Sequence, residues 1–444
     1  MDTDVDQLLL RFRATTSSQD QEDLLSLVRE DKKRPLSGPL VLAKRRRTAN
    51  EEENRVVSTV STDDVFNPWS KFLIESSIAN FPTAVKLKIR SAYIGTEDGD
   101  VDKVLDLRFA LPQLWHLVSP RHVTDCHVFV NRGGLSYALV ALSSGRPCVR
   151  KIAYSILQRF YRQLESTTFS SFKDRHLWLS FLDMLRSSLT EDNQQLRRLR
   201  TSFYTNCISV LRDPDHKLFG DVRQLVLNHT ADDAQVAREV VRIAKSSHPK
   251  CHKEALEWSL SVMVQGIDQK EDFDLLDKCL AFDLLIEPAS SPLFKPEERQ
   301  MVLFVFEEAT KIREAAKCLC LKNALISFLN TLLFEVELDD VSLASLFKTA
   351  SNISIHCCEN SGDYSDPLLF ELSQLLQSLS RHASKLTARS ASLLSKFLNC
   401  FFNMATLVSQ RRGTTNWLTI CDDDILHIRN MERQLTDAGM PIQS

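Results

Sequence analysis

With 444 residues, 43% of them hydrophobic and 25% charged, the sequence has the composition of a folded protein and enough chain for about three domains or one long repeat array. A net charge of −3 excludes both a cation-saturated nucleic-acid binder and a wholly acidic chain, so any electrostatic function has to be local. Glycine is scarce at 11 residues and proline modest at 14, which argues against turn-rich sheets and barrels and for helices joined by short loops.

Residues 1–65 are polar and charge-rich with few aromatics, and the expectation is a disordered arm that buries too little apolar surface to offset chain entropy. The opening MDTDVDQLLLRFRATTSSQD lacks the basic start and apolar core of a secretory signal, and stretches such as ALISFLNTLLFEVEL from Ala324 are too short to span a bilayer. An intracellular protein is therefore expected. Within the arm, ten residues separate Lys32 and Lys33 from Lys44, Arg45, Arg46 and Arg47, the spacing of a two-part nuclear import signal; a solvated charge run has the same composition.

From Pro68 onward apolar residues recur at helical spacing, over a body divided here as residues 66–310 and 311–444. Only DCHVFV, from Asp125, shows strand-like alternation. Gly133-Gly134 lies between an apolar run and an amphipathic one, the order of a phosphate-binding loop. It has neither the G-x-G-x-x-G spacing nor the lysine of a P-loop, and it reads as a break before a short helix, Leu135 to Leu142. Val149, Ile152, Ala153, Ile156, Leu157, Phe160 and Leu164 then form one broad face of a helix. Leu177, Phe181, Leu182, Leu185 and Leu189 do so in the next segment. Leu196, Leu199, Phe203, Cys207 and Leu211 follow, until Asp213-Pro214 ends the third. Further helices are expected at 217–228, 234–245, 251–265, 272–286, 297–311, 313–334, 339–355, 366–380 and 387–409. Helices of about 12 to 20 residues, paired every 35 to 45 or so, match armadillo and HEAT arrays, so the expected fold is an all-α helical repeat solenoid preceded by the arm; the pattern repeats without a repeated motif, and an irregular helical domain is the alternative.

Catalytic and metal chemistry finds little footing. His248, Cys251 and His252 crowd three candidate ligands into too short a stretch to surround one tetrahedral ion. Cys357 and Cys358 after His356 point apart on any regular element, and carboxylate groups such as Glu307-Glu308 and Asp422 to Asp424 fit solvent faces or helix starts. The 11 cysteines contain no CxxC pair and read as small buried hydrophobes in a reducing compartment. No enzyme activity, cofactor, metal or small-molecule substrate is expected.

Basic surface carries more information. On the helix from Val149, Lys151, Arg159 and Arg162 fall within about 80° of arc, opposite the apolar face, with no acid until Glu165. Arg186, Arg197 and Arg198 follow, and Arg200 falls toward an apolar stripe where it must snorkel or pair. Lys151, Arg159, Arg162, Arg197 and Arg198 are thus RNA-contact candidates, although solvated helix faces share this composition.

Four stretches, in this order and spacing, carry a resemblance: FVNRGGLSYALVALSS at 129–144, VRKIAYSILQRFYRQLE at 149–165, SVLRDPDHKLFGDVRQLVLNH at 209–229, and HKEALEWSLSVMVQGIDQKEDFDLLDKCLAFDLLIEPASSPLF at 252–294. The region from about 100 to 310 resembles the C-terminal region of the nucleolar pre-ribosomal-associated protein family. That resemblance implies a scaffold for early pre-60S particles during processing of the 25S/28S and 5.8S rRNA precursor, in the nucleolus. It also implies partnership with pre-ribosomal RNA and assembly factors including a DEAD-box helicase. No functional residues carry over, because the stretches are packing and loop signatures. Members of that family are several times longer, with a large N-terminal helical region not among these 444 residues.

Two rival readings remain in view. A cytoplasmic helical-repeat adaptor binding only proteins would be indifferent to loss of residues 30–50 and would ignore RNA. A cysteine-dependent enzyme would need an exposed, low-pKa thiol near a histidine.

Overall fold

The computed structural model describes residues 70–81, 107–119, 124–168, 172–227, 232–245, 251–291, 294–335 and 338–358, together with residues 66, 83 and 105 and scattered helical positions between 370 and 430. The regular elements among these residues are helices joined by turns and loops, and there is no strand among them. The expected arm, with its candidate import signal, lies outside them, as does most of the expected helices at 366–380 and 387–409. The chain divides into two compact units, Met1–Val236 and Ala237–Ser444.

In the N-terminal unit the helices are α1 (Lys71–Ala79), α2 (Leu107–Leu117), α3 (Cys126–Asn131), α4 (Gly134–Val140), α5 (Pro147–Ser166), α6 (Arg175–Ser187), α7 (Arg198–Leu211) and α8 (Phe219–Leu227). Pro147, at the first position of α5, gives up an N–H that has no intrahelical partner there. The seven apolar residues of the expected stripe, Val149 to Leu164, are all buried in α5, each stabilising by about 1.5–3 kcal/mol for the larger side chains. That face packs against α2, α3, α4 and α6, while α7 packs on α4 and α8. Phe66, Phe129 and Phe160 form an aromatic row through this core, with centroids 6.3 Å and 4.6 Å apart.

The DCHVFV run is helix, correcting the strand-like reading. Asp125 caps α3 by accepting from the Val128 N–H at 3.1 Å, and Cys126, Phe129 and Val130 turn inward while His127 stays exposed. A single turn sufficed to mimic alternation. Gly133-Gly134 is the turn from α3 into α4. Gly133 sits at φ +84°, where a side chain is strained, and an added Cβ would meet Ile74 Cγ2 at 2.7 Å. At Gly134 it would meet Phe129 at 2.8 Å and Phe66 at 2.9 Å. Both glycines serve packing.

After α9 (Asp233–Ala244), the C-terminal unit contains α10 (His252–Gly266), α11 (Lys270–Lys278), α12 (Ala281–Ala289), α13 (Pro296–Thr310), α14 (Arg313–Lys322), α15 (Leu325–Glu335) and α16 (Asp340–Cys358). Helix α13 is central, packing against α10, α12, α14 and α16. A second aromatic row, Phe273, Phe282, Phe306 and Phe328, joins α11, α12, α13 and α15 at 4.8, 6.1 and 5.6 Å. The expected single helices at 272–286 and 313–334 are each two. Leu280 at φ +58° and Ala324 at φ +52° turn the backbone left-handed at residues with no glycine or proline to announce a break. No single described helix is long and apolar enough to cross a membrane; Arg313–Lys322 with Leu325–Phe334 passes that test only as a pair bent by 69°.

Candidate nucleic-acid interface

The candidate cations divide by what their side chains touch. Along α5, Lys151, Gln158 and Arg162 form an exposed row at helical spacing, with Glu165 following. Arg159 leans inward from that row, with its guanidinium carbon 3.7 Å from the ring centroid of the buried Trp115. Trp115 Nε1 donates to Ser155 Oγ at 3.1 Å, which fixes the indole that Arg159 covers. An acid from another helix also borders the row, since Tyr161 is hydrogen-bonded to Asp183 of α6, and that bond raises the tyrosine pKa.

The second group is held by structure. Arg197 Nε donates to Asp233 Oδ2 at 3.0 Å, leaving the side chain 37% exposed. Arg198 is buried, and its Nη2 donates to the carbonyls of Ile78 and Ala79 at 2.6 and 2.7 Å. It therefore closes the C-terminus of α1. Arg200 finds partners, as its position on the stripe demanded. Its Nε donates to Tyr204 Oη at 3.1 Å and its Nη2 to the Ser188 carbonyl at 3.1 Å, while Nη1 lies 3.6 Å from Asp233.

These contacts belong to a pattern that the sequence reading missed. Arg175 donates to the Leu164 and Glu165 carbonyls at 2.6 and 2.9 Å, Arg212 to Asn131 at 2.9 Å, and Arg299 to Ala289, Ser291 and Phe294 at 3.1, 2.8 and 2.8 Å. Helix C-termini leave carbonyls without intrahelical partners and carry partial negative charge, so a guanidinium fork from a neighbouring helix satisfies both. A signal for it was present. Arg175 and Arg198 occupy the first positions of α6 and α7, the wrong end for a cation with respect to its own macrodipole.

Between α6 and α7 the segment 188–197 is strapped across the start of α5. Arg150 donates to the Asn193 and Ser144 carbonyls at 3.0 and 2.9 Å, Tyr154 Oη to Gln194 at 2.8 Å, and Leu196 N–H to Leu142 at 3.1 Å. Burial pulls the Arg150 guanidinium below its ordinary value and pushes the Tyr154 hydroxyl up to about 12. Arg150 is thus another structural arginine, which leaves Lys151 and Arg162 as the outward cations of α5.

Of the other sequence candidates, Cys251 is buried, His252 is exposed, and His248 lies outside the described residues. His356 Nε2 is 3.2 Å from the Lys311 carbonyl, and nothing is described for the Cys357 and Cys358 side chains. Glu307 is largely buried against Lys348 at 2.9 Å, a polar seam between α13 and α16, whereas the sequence placed it on a solvent face. Among the described residues no group of three or more His, Cys, Asp or Glu side chains is placed to hold a metal ion.

A family model described as nucleolar pre-ribosomal-associated protein 1 matches residues 135–328. Relatives of that name from Mus musculus and Homo sapiens are each 24% identical over 217 residues, 49% of this chain. The match spans only 9% of the length of those relatives. The matched region begins inside α4, takes in α5 with its exposed basic row, and ends in α15. Residues 135–328 of this chain are thus similar to the nucleolar pre-ribosomal-associated protein 1 family.

Proposed function

We propose that this chain acts in ribosome biogenesis, as a non-enzymatic scaffold of the nucleolus that holds large-subunit (pre-60S) precursors while the 25S/28S and 5.8S rRNA precursor is processed. The observation that carries this reading is the family match across residues 135–328. Its partners are pre-ribosomal RNA and assembly factors, including, by family resemblance, a DEAD-box helicase. Its mechanism is positional: a packed helical body holds partners in place and so reduces the freedom lost when each further component docks.

Lys151 and Arg162 contact phosphate in this scheme, flanked by Arg159 and Arg197, which divide their charge between the surface and Trp115 or Asp233. Arg198 contributes by holding α7 to α1. Lys32, Lys33 and Lys44 to Arg47 deliver the chain to the nucleus.

Two measurements test this. The chain binds a single-stranded fragment of large-subunit precursor rRNA with salt-dependent affinity, and Lys151→Ala with Arg162→Ala reduces the slope of log K against log salt by about 1.4, two contacts at roughly 0.7 each. A fluorescent fusion concentrates in the nucleolus and leaves the nucleus when residues 32–47 are replaced by neutral ones. An unchanged slope removes the α5 contact, and a cytoplasmic wild-type fusion favours the protein-only adaptor.

A further inference from the structure

The C-terminal unit carries an apolar and acidic surface that the RNA-scaffold reading leaves unused. Between Asp268 and Glu287 the sequence holds seven acids against two lysines, a balance that repels phosphate. The turn from α11 to α12 is fastened to the end of α14: Lys322 Nζ lies 2.9 Å from Asp277 Oδ2, and Asn323 Nδ2 donates to Asp283 Oδ1 at 2.6 Å. Two large apolar side chains flank this junction in water, Leu280 at 53% exposure and Leu321 at 46%.

Leu280 is the telling residue. It occupies left-handed backbone at φ +58°, where glycine or asparagine would sit with less strain, yet its side chain contributes little to the core. Around it, Asp274, Asp277 and Asp283 lie close enough to Cys318 to act together on its thiol: burial chiefly, and then these carboxylates, raise its pKa against the opposing effect of Lys322. The bonds of Asp277 to Lys322 and of Asp283 to Asn323 place these two acids next to the chain segment that carries Leu321, with Leu280 between them in sequence.

We propose that the surface around Leu280 and Leu321 docks a basic, leucine-bearing peptide segment of a partner protein. Apolar side chains of the segment cover the two leucines, and its lysines or arginines face Asp274, Asp283 and Glu287. Charge complementarity selects this occupant: the surplus of acids over lysines between Asp268 and Glu287 repels an acidic partner and attracts a basic one. The proposal stands independently of RNA contact at α5.

The test is fluorescence anisotropy of the full chain with a fluorescein-labelled peptide of leucines and arginines, and with a serine and arginine peptide as control. The Leu/Arg peptide binds, and more weakly as salt rises. Leu280→Gly, which suits the backbone and so folds, weakens binding about tenfold, as does Leu321→Ser, the effect of losing a covered leucine. Asp274→Asn combined with Glu287→Gln weakens binding and flattens its salt dependence. Equal binding of the two peptides, wild-type affinity in both leucine variants, or no binding to the wild-type chain overturns the proposal.

Discussion

Replacing Arg198 with alanine separates a structural arginine from a ligand-binding one. Its guanidinium makes hydrogen bonds of 2.6 and 2.7 Å to the Ile78 and Ala79 carbonyls and is almost wholly withdrawn from water. Charge-assisted bonds of this kind contribute about 1.5–3 kcal/mol each, and their loss strands two acceptors at the end of α1. Ile78 and Ala79 are only half-buried, so water recovers part of the loss. We therefore expect about 2–4 kcal/mol of destabilisation. Because the chain comprises two compact units, a single melting temperature mixes their contributions, and the local readout is hydrogen exchange. Amides of Lys71–Ala79 should exchange about thirtyfold faster in Arg198→Ala for a 2 kcal/mol loss. Arg162→Ala, at an exposed site, should change stability by less than about 0.5 kcal/mol. Equal exchange of α1 in the wild type and Arg198→Ala would falsify the capping role.

Gly134→Ala forces a methyl group to within 2.8–2.9 Å of the Phe129 and Phe66 rings, and urea unfolding should show a loss of about 1–3 kcal/mol, characteristic of overpacking. Leu280→Gly should leave stability equal or raise it by up to about 1 kcal/mol, by relieving left-handed strain; a clear loss in the same assay would place Leu280 in the core instead. Tyr154 has a folded pKa of about 12, above its ordinary value of 10, so its contribution to stability is full below pH 10 and is lost as pH rises through 12. Denaturation midpoints measured across that window should fall, and Tyr154→Phe should reduce the fall. Cys207 is fully buried, and burial drives its thiol pKa strongly upward, so iodoacetamide should label it only after unfolding.

Periodicity located the helices that have one continuous apolar face. The α5 stripe from Val149 to Leu164 could be read directly because seven residues at helical steps leave no other element that buries them all. Breaks were harder to read. Cys279-Leu280 and Asn323-Ala324 interrupt helices without a glycine, since tertiary packing imposes a left-handed residue that local preference would not choose. DCHVFV misled because a six-residue helix is too short for period 3.6 to emerge from alternation. At the candidate interface, composition identified cations without revealing their orientation. Arg198 and Arg200 read as surface charge or unresolved stripe until the carbonyls of Ile78, Ala79 and Ser188 are seen beneath them. Those partners lie up to 120 residues away in sequence, beyond the reach of any local pattern.

Crosslinking in living cells tests the proposed role most directly, with the tagged chain isolated under denaturing conditions, its bound RNA sequenced, and co-purified proteins identified from a parallel native sample. A pre-ribosomal scaffold yields large-subunit precursor rRNA together with nucleolar assembly factors, and the RNA signal drops when Lys151 and Arg162 are both replaced by glutamate. Background RNA with a cytoplasmic set of proteins contradicts the role and leaves a protein-binding helical adaptor.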